Sequence, residues 1–135
     1  MASRTFYALW YWRRVRVRRR RPASAASAKE YKLLKEEART VITERVEYFA
    51  GLYGFQYGKI AIRNQRSRWG SCSKSGNLNF NYRLVKLPAH LRDYVVAHEI
   101  CHLGQFNHSR AFWNLLSRAI PNYVSCRHEL RRQKM

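Results

Sequence analysis

The sequence predicts an α+β domain, on three observations. A long helix-periodic segment begins at Lys29, two short β-like segments flank a Gly-Asn reversal near residue 76, and three more helix-periodic segments follow Pro88. The β segments are brief. The expected architecture is a small antiparallel sheet packed against an N-terminal helix, a central helix and C-terminal helices.

The chain starts with an aromatic patch from Phe6 to Trp12, an arginine run from Arg13 to Arg21, and the small-residue stretch Pro22 to Ala28. The run repels itself and the stretch has little to bury. Residues 1–28 are therefore expected to be a basic arm and linker, and 29–135 the folded domain. From Lys29 to Ala50, Tyr31, Leu34, Ala38, Val41, Ile42, Tyr48 and Phe49 recur at three- and four-residue steps, as one apolar helix stripe requires. Gly51 and Gly54 are expected to stop it. Lys59 to Asn64 alternates like a half-buried strand, and Trp69 to Cys72 and Leu78 to Asn81 read as an antiparallel hairpin across Lys74-Ser75-Gly76-Asn77. Helices are expected over Ala89–Leu103, Ser109–Ala119 with Ser109 as cap, and Asn122 to about Arg132.

Net charge bounds the partners but not the reaction. The chain carries +19, and with the eight arginines of its first 22 residues set aside it still carries +11. Such a surface favours nucleic acid, anionic lipid or acidic protein. Cys72, Cys101 and Cys126 are odd in number, form no C-x-x-C pair and follow no secretory signal, so reduced thiols and a cytoplasmic location are expected. No stretch is long and apolar enough to span a bilayer. Nothing asks for an oligomer, and a monomer is the expectation.

Chemistry concentrates in His98-Glu99-Ile100-Cys101-His102, an H-E-x-x-H match. On a helix turning ~100° per residue, the two histidines lie about 40° apart, one turn from each other, and both reach one ion. Glu99 is offset by ~100°, outside the ligand set but beside the ion's open position, where it is placed to take a proton from water. The surrounding helix is apolar all round, so it is buried, and burying these side chains is costly without a compensating cation.

A catalytic zinc needs a third protein ligand. His90, His108, His128 and Glu129 are the candidates. His108 lies six residues beyond His102, past Gly104, where the helix has a way to end. It is also ten residues beyond His98, the interval of the H-E-x-x-H-x-x-G-x-x-H pattern, with the glycine one place early. His90 lies ~12 Å along the axis from His98 and is expected to be a helix-start residue. His108 is the reading adopted, with one Zn2+ expected.

These residues also carry a family resemblance. Arg68-Trp69-Gly70-Ser71-Cys72, Leu78 to Leu84, Tyr94 to Leu103, and Asn107-His108-Ser109 with Phe112-Trp113 resemble the YgjP-like metallopeptidases, relatives of the SprT and WLM zinc proteases. The resemblance covers Lys29 to about Arg132 and departs at the front, where family members often carry a longer β-rich segment. It implies a zincin-type fold, His98, His102 and His108 as ligands, and a protein or peptide substrate.

The expected function is hydrolysis of peptide bonds by metal-activated water, with Glu99 as general base. Arg66, Arg68, Tyr82 and Tyr123 are candidates for the oxyanion, and nothing in the sequence selects among them. Trp69 is expected in the core, Gly70 at a close approach, and Cys72 and Cys101 as packing residues. Two other readings stand beside the peptidase. One is a nucleic-acid-associated protein with a structural zinc and a working arginine arm; the other is a metal hydrolase acting on a non-peptide amide.

Overall fold

The computed structural model describes residues 24–134, and the aromatic patch and arginine run lie outside them. Helix α1 spans Ala25–Tyr53. Ser24 caps it by accepting from the Ser27 N–H, and alanines at 25, 26 and 28 favour its first turn. The end of the expected linker is therefore helical. Gly51 lies inside α1; Gly54, at φ 71°, is the left-handed residue that closes it.

The sheet has three strands, β1 (Ile60–Arg63), β2 (Gly70–Cys72) and β3 (Leu78–Asn81), in the order β1-β3-β2. The β2–β3 hairpin is antiparallel as expected, with Gly76 at φ 86° in its reversal. β1 instead pairs parallel to β3, Ile60 opposite Leu78 and Ile62 opposite Phe80, so the sheet is mixed rather than antiparallel. Alternation along β1 shows which residues face the core, but strand direction depends on which edge of β3 is free. The hairpin occupies one edge and leaves β1 the other.

A 3-10 turn, Tyr82–Lys86, follows β3 and packs under α1. Three helices complete the domain: α2 (Ala89–Cys101), α3 (Arg110–Ala119) and α4 (Tyr123–Arg131). Every residue of α2 from Tyr94 to Cys101 is buried, with α1, β2, α3 and α4 packed around it. Ser109 occupies the N-cap position of α3 without a side-chain bond to the helix. No helix among the described residues is long and apolar enough to cross a membrane.

One buried polar side chain ties the loop entering β2 to the sheet. Asn81, with no exposed surface, donates through Nδ2 to the carbonyls of Gln65 (2.6 Å) and Arg68 (3.0 Å), and its Oδ1 accepts from the Arg83 N–H. Removing such an amide strands buried partners, at about 1–3 kcal/mol per group. Asn81→Ala is expected to lower unfolding free energy by about 2–3 kcal/mol in urea denaturation. A loss under about 0.5 kcal/mol, the range of ordinary surface changes, would show that the clamp does not hold the loop.

Candidate metal centre

The three histidines come from one helix and the loop beyond it. His98 lies in α2, His102 immediately after its last residue, and His108 in the loop leading to α3. The loop closes without a left-handed residue at Gly104. Gly104 is instead needed for space, since a Cβ there would run into the Phe55 ring. Within the loop, His102 Nδ1 lies 3.1 Å from the Gln105 carbonyl. A carbonyl only accepts, so Nδ1 carries the proton and the Nε2 lone pair is left free.

The Nε2 atoms of His102 and His108 each lie 3.1 Å from Nε2 of His98. At Zn–N distances of about 2.0–2.1 Å, ligand nitrogens around a tetrahedral ion stand about 3.3 Å apart, so the observed spacing fits. The protons argue the same way. A single N–H on His98 Nε2 serves one neighbour at a time, which leaves another pair of nitrogens lone pair to lone pair. A cation between them removes that repulsion.

Burial disfavours the charged imidazole throughout. It pulls His98 well below its ordinary value, with the charges of His102 and His108 adding to the effect. It lowers His102 to about 4, and His108 to about 3 with help from His102 and Arg127. The three rings are therefore neutral at neutral pH, the form that ligates metal. Phe112, fully buried, holds the cluster together: its ring centroid lies 4.9 Å from His98, 4.6 Å from His102 and 4.9 Å from His108. Trp113 stacks on His108 at 5.8 Å and on Tyr123 at 5.2 Å.

Glu99 is 1% exposed, and its Oε1 is buried without a hydrogen-bond partner. Burial raises its pKa to about 8, against the lowering influence of Arg68. β2 covers it closely: a Cβ on Gly70 would lie 3.1 Å from Glu99 Cγ. The expected close approach at Gly70 is thus an approach to this carboxylate. Trp69 and Cys101 are buried, and Cys72 is half-buried.

The other candidates separate clearly. His90 Nε2 pairs with the Glu129 carboxylate at 2.8 Å, so these two alternative ligands engage each other instead of the cluster. His128 is exposed on α4. Tyr82, proposed for the oxyanion, is fully buried and donates its hydroxyl to Glu30 on α1 at 2.8 Å, which commits it elsewhere. Arg68 is exposed and acts electrostatically on Glu99, Arg66 is exposed in the same loop, and Tyr123 sits one ring beyond Trp113.

An open cleft of about 310 Å³ adjoins His102, between the β2–β3 reversal and the loop after α2. Gln56, Lys74 and Phe106 line it, and sequence reasoning missed all three as site residues. Lys74 to Asn77 is legible in sequence only as a turn; the partner of that turn is set by tertiary packing.

Comparison with known proteins identifies a family and a similar fold. The YgjP-like metallopeptidase domain matches residues 12–133, which takes in the whole arginine run, so the match begins ahead of Lys29. The metallopeptidase zymogen abylysin of Pyrococcus abyssi is similar in structure, with a TM-score of 0.59, 21% identity, and coverage of 70% of this chain and 99% of that one. The metallopeptidase zymogen jannalysin of Methanocaldococcus jannaschii gives a TM-score of 0.57 and 23% identity over 67% of this chain and 91% of that one. No curated protein matches.

Zinc at a hundredfold its dissociation constant is expected to stabilise the fold by about 2.7 kcal/mol, reversed by a chelator. His108→Ala should remove most of that gain, and Phe112→Ala should weaken it without deleting a ligand. Isothermal denaturation with and without zinc reads each effect. Equal zinc stabilisation of His108→Ala and wild type would exclude His108 from the site.

Proposed function

The chain belongs to the YgjP-like metallopeptidase family, and on that premise we propose that it hydrolyses peptide bonds using one zinc ion held by His98, His102 and His108, with Glu99 as general base. The observation that carries this reading is the convergence of three neutral imidazoles next to a buried carboxylate whose Oε1 has no hydrogen-bond partner. Bound there, zinc supplies a Lewis acid for the scissile carbonyl and acidifies water.

The chain's own groups do the rest. Glu99 accepts the proton of the attacking water and passes it to the leaving amine. Its burial makes it more basic than an ordinary carboxylate, and a cation alongside keeps it ionised until it is needed. Phe112 and the apolar flank of α2 keep bulk water from the back of the imidazoles. Arg68, the cation already acting on Glu99, is the favoured oxyanion stabiliser, with Tyr123 second. Three free thiols suit a reducing, cytoplasmic setting.

Glu99→Gln keeps the shape of the site while deleting the base. On an unfolded protein substrate it is expected to lower turnover roughly 10²–10⁴-fold, with zinc content and melting unchanged. A zinc-loaded wild type that cleaves no unfolded protein, or a Glu99→Gln variant as active as wild type, would sink this reading.

A further inference from the structure

Carboxylates are distributed unevenly along this chain. No aspartate or glutamate occurs from Tyr48 to Arg92 or from Ile100 to His128. Those two stretches supply the segment entering β2, and the β2–β3 reversal and the loop after α2 that line the cleft beside His102. The acidic residues lie elsewhere. Five of the eight are on α1, and Asp93 and Glu129 are held by Arg45 and His90. Glu99 is the exception.

Cations stand at both ends of β2 instead. Arg68 precedes the strand and acts on Glu99, and Lys74 follows it and lines the cleft beside His102. Among the described residues the ion pairs involve neither of them. The serine hydroxyls flanking Lys74 are engaged within the turn: Ser73 Oγ and Ser75 Oγ lie 2.9 Å apart, and both accept from Asn77. Lys74 is thus the charge the turn leaves for a ligand, with Phe106, 47% exposed, as an apolar wall.

We propose that this cleft is a specificity subsite for an acidic side chain, accepting an Asp or Glu of the substrate near the scissile bond with Lys74 as its counter-charge. This rests on the peptidase reading above and adds the substrate class. Arg68 and the carboxylate-free rim add a positive potential that speeds encounter and fades with salt. An exposed ion pair is modest, so the preference expected is about fivefold rather than absolute. A single-stranded nucleic acid would offer the same charge on its phosphates. The site favours a peptide because Lys74 lines one cleft beside His102 at the proposed catalytic centre, where a side chain fits.

The test uses the full chain, zinc-loaded and carrying Glu99→Gln so that peptides bind without turnover. Fluorescent decapeptides alike except for Glu, Gln or Lys at their central positions, and an oligothymidylate of matching length, are titrated by anisotropy at about 150 mM salt. The Glu peptide should bind about fivefold tighter than the Gln peptide, and the Lys peptide more weakly still. Lys74→Ala should flatten this order and Lys74→Glu invert it. Equal binding of the three peptides, or an acidic preference that survives Lys74→Glu, overturns the proposal. So does an oligothymidylate that binds tighter than the Glu peptide and loses the same affinity to Lys74→Glu.

Cleavage of the same peptides by the enzyme retaining Glu99 separates the two readings. Cleavage without charge preference removes the subsite and keeps the peptidase. Charge-selective, Lys74-dependent binding with no cleavage of any peptide removes the peptidase and leaves the cleft as a binding site for an acidic side chain.

Discussion

A helix packed on every side that nonetheless carries His98 and Glu99 is the constraint on which the rest of this structure depends. Burial strips water from an imidazole and a carboxylate, and each answers by shifting toward its neutral form. That cost is tolerable only if the groups serve something that restores the lost interactions. The surrounding elements converge on that service: β2 presses Gly70 against Glu99, the loop after α2 returns His108, and Phe112 touches all three imidazole rings.

Support for the site comes from places remote in sequence. Tyr31 donates to the Ile62 carbonyl and Tyr53 to the Leu115 carbonyl, so α1 braces β1 near its start and α3 near its end. Asn81 fastens the loop that delivers Arg68 and Trp69 to β2. His90 and Glu129 tie the start of α2 to α4. His98 therefore stands on a helix secured to its neighbours, and His102 and His108 follow from its end, which matters because a metal site tolerates little displacement of its donors.

Charge and chemistry occupy different parts of the molecule. α1 carries most of the carboxylates, whereas the rim of the metal centre carries cations without acidic neighbours in sequence. Glu99 is thereby the lone carboxylate in a positive surrounding. Such a field favours anionic ligands before any specific contact is made.

The residues alone were enough to identify the amphipathic helix, the hairpin, the helices after Pro88 and the H-E-x-x-H turn of helix, because each is written in local periodicity or in spacing along one helix. Three features were not legible there. The parallel pairing of β1 depends on which edge of β3 is open, and alternation carries no direction. Ala25 to Ala28 read as linker because small residues suit both a flexible chain and a capped helix, and Ser24 decides between them. The His108 ring could be ranked above His90 and Glu129 by spacing, but only packing shows those two paired with each other and Tyr82 committed to Glu30. Sequence by itself determined that His98 and Glu99 lie in a buried helix. The tertiary structure decided where the imidazole nitrogens point and which cleft lies beside them, since both depend on contacts between segments far apart in the chain.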